Sequence, residues 1–105
     1  MSIPVALPDL PSALQAYPWG YLVTVRDDLR AQSLAVPTNW SDGALQMSAG
    51  TGTRANATAR PDVTMVFPSP IPGEYSLIVD GVATVLADGI TVTPTWAVLH
   101  RPALG

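Results

Sequence analysis

Tyr75-Ser76-Leu77-Ile78-Val79-Asp80-Gly81-Val82-Ala83-Thr84-Val85-Leu86 runs without a proline and is rich in the residues that favour pleated backbone. Period-two alternation sets Tyr75, Leu77 and Val79 on one face, and Asp80-Gly81 then interrupts the strand with a residue that lacks a Cβ. Such a glycine permits a bulge or sharp coil, the bend that a small closed sheet needs. Leu77-Ile78-Val79 is apolar on both faces, and so is Tyr21-Leu22-Val23. The outer surface of the sheet is therefore covered as well as the inner one. The chain has too little helix to supply that cover, which implies a second subunit.

On either side of this stretch the eleven prolines and eight glycines punctuate short Val-, Leu-, Ile-, Thr- and Tyr-rich runs, the pattern of a mainly β domain. Six strands are expected: residues 21–26, 33–40, 44–49, 63–68, 75–86, and 90–93 with a continuation through 97–100. Asp27-Asp28, Ser41-Asp42-Gly43, Pro72-Gly73 and Asp88-Gly89 supply turn chemistry between them, so hairpins dominate. Two short helices are expected. Asp9 can cap one over residues 9–17, with Leu10, Leu14 and Tyr17 on one face and Pro18 ending it. Thr51 or Thr53 can cap another over residues 53–59, which Pro61 ends. Residues 1–20 thus read as an N-terminal arm with a short helix, and 21–105 as the barrel proper.

With 105 residues and 11.0 kDa the chain is one domain. At 48% hydrophobic and 12% charged residues, with mean hydropathy +0.27, it is too apolar to remain disordered. The absence of cysteine excludes disulfides, iron–sulfur clusters and thiolate zinc sites, and a single histidine argues against any metal. Five arginines and no lysine, scattered singly among eight acids for a net charge of -3, argue against nucleic acid as a partner. One arginine can still hold one isolated phosphate. Residues 1–11 lack the features of a secretory signal, and no apolar run approaches membrane-spanning length, so no membrane is expected and a cytoplasmic location is. On that reading Asn39-Trp40-Ser41 and Asn56-Ala57-Thr58 match the glycosylation pattern by coincidence.

Ser48-Ala49-Gly50-Thr51-Gly52-Thr53-Arg54-Ala55-Asn56 joins a strand end, a glycine-threonine turn, a helix start and an arginine. Free amides at a helix N-terminus, small residues, hydroxyls and a guanidinium are what a terminal phosphate monoester requires. It lacks the lysine and spacing of a Walker loop, and Gly50-x-Gly52 has no βαβ context. The competing reading is a plain strand-to-helix connector with a solvated arginine.

Other chemistry is sparse. His100-Arg101 can meet a ligand, although a packed or surface histidine is the commoner outcome. No Gly-x-Ser-x-Gly or oriented acid accompanies it, and Asp27-Asp28 read as solvated turn-formers rather than paired catalytic carboxylates. No catalytic residue is assigned. Trp19, Trp40 and Trp96 suit core packing, a dimer interface or the face of an aromatic ligand.

The order of segments from Tyr17 to Pro102 resembles the pyridoxamine 5'-phosphate oxidase-like FMN-binding split barrels, and in particular their short bacterial members. The residues that carry the likeness are Tyr21-Leu22-Val23-Thr24-Val25 as the first barrel strand and Asp42-Gly43 before the third. Asn56 with Arg60-Pro61-Asp62-Val63-Thr64 stands in place of the family's Asn-Leu…Pro-Arg-Val segment, and Tyr75 to Ala83 matches its Gly-x-Ala strand. The resemblance implies a six-stranded split β-barrel that forms a homodimer, with FMN in a groove at the interface. It places Ser48, Thr51, Thr53 and Arg54 around the phosphate and Val36 and Thr38 beside the ring. The family's lysine before the helical asparagine falls at Thr53, leaving Arg54 as the nearby cation. The implied activity is hydride transfer through flavin N5 to or from a small-molecule substrate. The alternatives are a reductase using the deazaflavin F420 on the same barrel and a non-catalytic dimeric module that binds a flavin or another planar ligand.

Overall fold

The computed structural model describes residues 1–103. Its strands are β1 (Ser2–Pro4), β2 (Trp19–Val25), β3 (Ala31–Pro37), β4 (Asn39–Ser41), β5 (Ala44–Ser48), β6 (Asp62–Phe67), β7 (Ser76–Val85) and β8 (Gly89–His100). A 3-10 turn (Leu7–Asp9) leads into helix α1 (Leu10–Leu14), and helix α2 (Thr51–Ala59) links β5 to β6. One antiparallel sheet runs β3-β2-β6-β7-β8-β5-β4, and β1 joins β8 beyond the stretch that pairs β5. The curled sheet with two short helices is the split barrel that the sequence implies.

The strand count is eight rather than six because two three-residue pieces are added. The expected run 33–40 is divided at Thr38, so that β3 pairs β2 while β4 turns to pair β5. Asp42 and Gly43 both adopt positive φ (53° and 77°), the geometry of a two-residue hairpin turn with matching twist. The second addition, β1, forms because Ser2, Ile3 and Pro4 align with His100, Leu99 and Val98, partners far away in sequence.

The helix ends also differ from expectation. Asp9 continues the preceding 3-10 turn with helical dihedrals, and its carboxylate makes no capping bond. Leu10 and Leu14 are buried, while Tyr17 lies just beyond the helix, donates to the Tyr75 carbonyl at 2.7 Å and packs edge-on against Phe67. Burial raises the Tyr17 phenol above its ordinary pKa of 10.0. In α2 the cap is Gly50, with no side-chain capping bond, and both Thr51 and Thr53 lie inside the first turn.

The barrel interior follows the alternation of each strand. Leu22, Met65, Val79 and Ala97 lie in register across β2, β6, β7 and β8, and all are buried. The expected break at Asp80-Gly81 is present: Asp80 opposes Trp96 and Gly81 opposes Pro94, leaving Thr95 as the extra residue. That residue resets the pleat of β8, whose inward positions change from Ile90 and Val92 to Ala97 and Leu99. Gly81 is required by packing, because a Cβ there would lie 2.6 Å from the Thr93 carbonyl oxygen.

The opposite face of the sheet carries a second apolar row. Ala35, Tyr21, Val66, Ile78, Val98 and Pro4 align across β3, β2, β6, β7, β8 and β1. Within this row Tyr21 is 40% exposed, and beside it Trp19, Val82 and Trp96 are 43%, 41% and 48% exposed. Trp40, by contrast, packs against the core. No helix among the described residues is long and apolar enough to cross a membrane.

Candidate functional site

The inward face of β3 and the first turn of α2 frame the site. Along β3, Gln32, Leu34 and Val36 point to the same side as Thr24, Leu22 and Gly20, their register partners on β2. In a complete sheet these positions would be sealed, but β3 is an edge strand and they open onto α2. Between them lies a recess of about 230 Å³ lined by Leu22, Leu34, Val36, Ser48, Gly50 and Thr53, among others.

The electrostatics of this recess come from backbone. The first amides of α2 have no intrahelical acceptor, Gly50 provides no side-chain cap, and no atom lies within 4 Å of a Cβ built on Gly50 or Gly52. The helix therefore presents unpaired N–H groups and the positive end of its dipole beside open space, with the exposed Ser48 at the mouth. That is a fit for a phosphate group. A cap such as Ser or Asp at Gly50 would compete for the same amides.

Past Ser48 the recess gives way to a larger cleft of about 470 Å³, where Thr38, Asn39, Gln46, Asp88 and Thr91 mix with apolar Pro37 and Ile90. Its hydroxyl and amide groups suit a polar ring edge, and the exposed Pro37 suits a ring face.

The six residues singled out by sequence thus divide. Val36, Ser48 and Thr53 line the small recess; Thr38 joins Ser48 in the larger cleft. Thr51 lies in the α2 first turn but lines neither. Arg54 also lines neither. Its Nε donates to the Ala49 carbonyl at 3.1 Å, Nη1 to the Ala87 carbonyl at 2.6 Å and Nη2 to Thr51 Oγ1 at 3.3 Å. Three of the guanidinium's five N–H donors are thus engaged, the Ala87 bond tying α2 to the turn between β7 and β8 and the other two staying within the start of α2 and the residue before its cap, and two remain available.

Thr53, where the family's lysine would fall, is buried and donates to Gln32 Oε1 at 3.0 Å. Asn56 Nδ2 donates to the same oxygen at 3.4 Å and to Thr24 Oγ1 at 3.2 Å. This polar cluster anchors α2 to the β2–β3 hairpin. Gln32 was not singled out in the sequence, since nothing in its neighbours distinguishes it from a solvent-facing residue of an edge strand.

The remaining candidates lie elsewhere. His100 accompanies Ser2, with Oγ and Nδ1 3.0 Å apart, at the other end of β8 from Gly89 and the cleft. That separation is roughly 35 Å along the strand. Arg101 covers the Tyr75 ring at 5.0 Å. Asp28 and Asp27 are ion-paired with Arg26 and Arg60 at 2.6 and 2.7 Å.

The same architecture recurs in solved structures. A candidate pyridoxamine 5'-phosphate oxidase of Listeria innocua superposes with a TM-score of 0.77 at 14% identity, over 91% of this chain and 98% of that one. A FAD-binding protein of Mesorhizobium loti gives 0.72 at 14%, over 98% of each chain. An F420 reductase gives 0.68 at 24%, over 82% of this chain and 94% of its own. The fold is that of the pyridoxamine 5'-phosphate oxidase-like split barrels. No protein-family model matches the chain. An uncharacterized protein of Mycobacterium bovis is 36% identical over 116 residues, 94% of this chain and 82% of that protein, and the chain belongs to its family.

Proposed function

We propose that the protein is a homodimeric oxidoreductase that holds the FMN moiety of a flavin, its phosphate on the first turn of α2 and its ring in the adjoining cleft. The observation that carries this reading is the uncapped α2 N-terminus opening onto a recess that contains Val36 and Ser48. The fold it shares with FAD-binding and F420-using proteins supports it. In this arrangement the α2 amides and the Ser48 hydroxyl bind the phosphate, and the two remaining Arg54 donors add charge nearby. Thr38, Asn39 and Gln46 orient the ring edge, while Pro37 keeps water from one side of it. A bound flavin supplies hydride acceptance or donation at N5. The partner subunit covers the apolar row on the outer face and closes the groove.

The cofactor F420 is a second reading, favoured by the 24% identity to an F420 reductase. Its tail also carries a phosphate, so the same amides would hold it.

Titration with FMN and with riboflavin, followed by flavin fluorescence, tests the phosphate site. Hydrogen bonds to a charged group contribute about 1.5–3 kcal/mol each, so FMN is expected to bind at least about tenfold more tightly than riboflavin. Equal affinities, or no binding by either, would overturn this reading. Turnover with a nicotinamide donor separates an enzyme from a carrier.

A further inference from the structure

One carboxylate stands in the middle of the apolar outer face. Asp80 on β7 is half-buried and lies in register with Thr64 on β6 and Trp96 on β8, between Ile78 and Val82 of its own strand. Thr64 Oγ1 donates to Asp80 Oδ1 at 2.7 Å, whereas Oδ2 has no hydrogen-bond or ion-pair partner among the described residues. Next to it the Trp96 indole is half-exposed, and its N–H meets no acceptor among them.

A charge in such a face makes a demand on whatever covers it. A partner that takes Asp80 out of water without giving Oδ2 a donor bears a heavy desolvation cost. The covering surface therefore has to bring a donor to Asp80 and an acceptor to the indole, and this chain's own outer face brings the two side by side. Copies related by a two-fold axis exchange contacts, residue i meeting j and j meeting i. An axis along the strands between β7 and β8 sets each Asp80 against the partner's Trp96. An axis between β6 and β7 would instead offer the partner's Thr64, whose hydroxyl proton is already given to its own Asp80.

The same axis folds the apolar row onto itself. Ile78 and Val98 stand on either side of it, with Val66 and Pro4 one strand further out, so Ile78 faces the partner's Val98 and Val66 faces the partner's Pro4. We infer that a second copy docks on this face about a two-fold axis between β7 and β8, fastened by two reciprocal hydrogen bonds from the Trp96 indole N–H to Asp80 Oδ2. This rests on the homodimer reading above and names the residues that set its geometry.

The dimer dissociation constant of the full chain is measured by sedimentation over a dilution series for the parent, Trp96→Phe, Asp80→Ala and the double variant. Trp96→Phe keeps an aromatic ring and removes only the donor, and circular dichroism checks that each variant folds. A hydrogen bond to a charged group is worth about tenfold or more in affinity, and the dimer has two. Trp96→Phe is therefore expected to weaken the parent dimer about a hundredfold and to change the Asp80→Ala dimer by no more than about threefold. Where Asp80→Ala does not associate, Asp80→Asn, whose amide oxygen still accepts, is expected to recover the dimer, and failure to recover it would overturn the bond. The same loss in both backgrounds, or no loss in either, would overturn the pair and leave the dimer standing. A parent chain that sediments as a single 11.0 kDa species would remove the homodimer reading and this inference together.

Discussion

A methyl group on Gly81 would stand 2.6 Å from both the Thr93 carbonyl oxygen and Val92 Cγ1. Neither neighbour can withdraw cheaply, since one is backbone and the other belongs to a fully buried side chain. Gly81→Ala is therefore expected to destabilise the fold by about 1–3 kcal/mol, measured as a shift in the urea midpoint with the slope unchanged. A midpoint equal to the parent's would show that the sheet relaxes around the bulge. This requirement was legible in the sequence, because a glycine inside an otherwise apolar alternation has few other reasons to be there. The position of the guanidinium of Arg54 was not. Sequence spacing placed that charge at the helix start, but the carbonyls it holds, Ala49 and Ala87, come together only when the β7–β8 turn folds against α2.

At the scale of elements, α2 depends on its polar anchor as well as on Ala57, which is buried in the core. Asn56 is the donor that satisfies Thr24, a hydroxyl only 1% exposed. Asn56→Ala leaves that buried group without its partner, a loss of about 1–3 kcal/mol. Amide exchange along α2 is expected to quicken more than exchange in β7 and β8, and uniform acceleration everywhere would contradict a local anchoring role. The six long strands and both helices could be read from alternation and turn chemistry. The break at Thr38 was missed, although Pro37, which has no N–H to give the ladder, stands directly before it. Strand β1 could not be read, since its bonds run entirely to the far end of the chain. Of the candidate site, the recess at Val36, Ser48 and Thr53 was legible through the family resemblance and the glycine-threonine turn. Gln32 was not, because its role exists only once α2 lies over β3.

For the whole molecule, the sheet's two faces make different demands. The inner face is filled by the chain's own core, whereas the outer row from Ala35 through Tyr21 to Pro4 is left beside exposed Trp19, Val82 and Trp96. A contiguous apolar face of this kind on an 11.0 kDa chain marks an interface. On the proposed reading a second copy covers this face and bounds the cleft beside α2, which makes assembly and cofactor binding one problem. Sedimentation velocity, recorded at once in the protein and flavin absorbance bands, tests this most directly. The flavin is expected to travel with a species of twice the 11.0 kDa chain mass. Flavin left unsedimented, or carried by a single chain, would contradict the account.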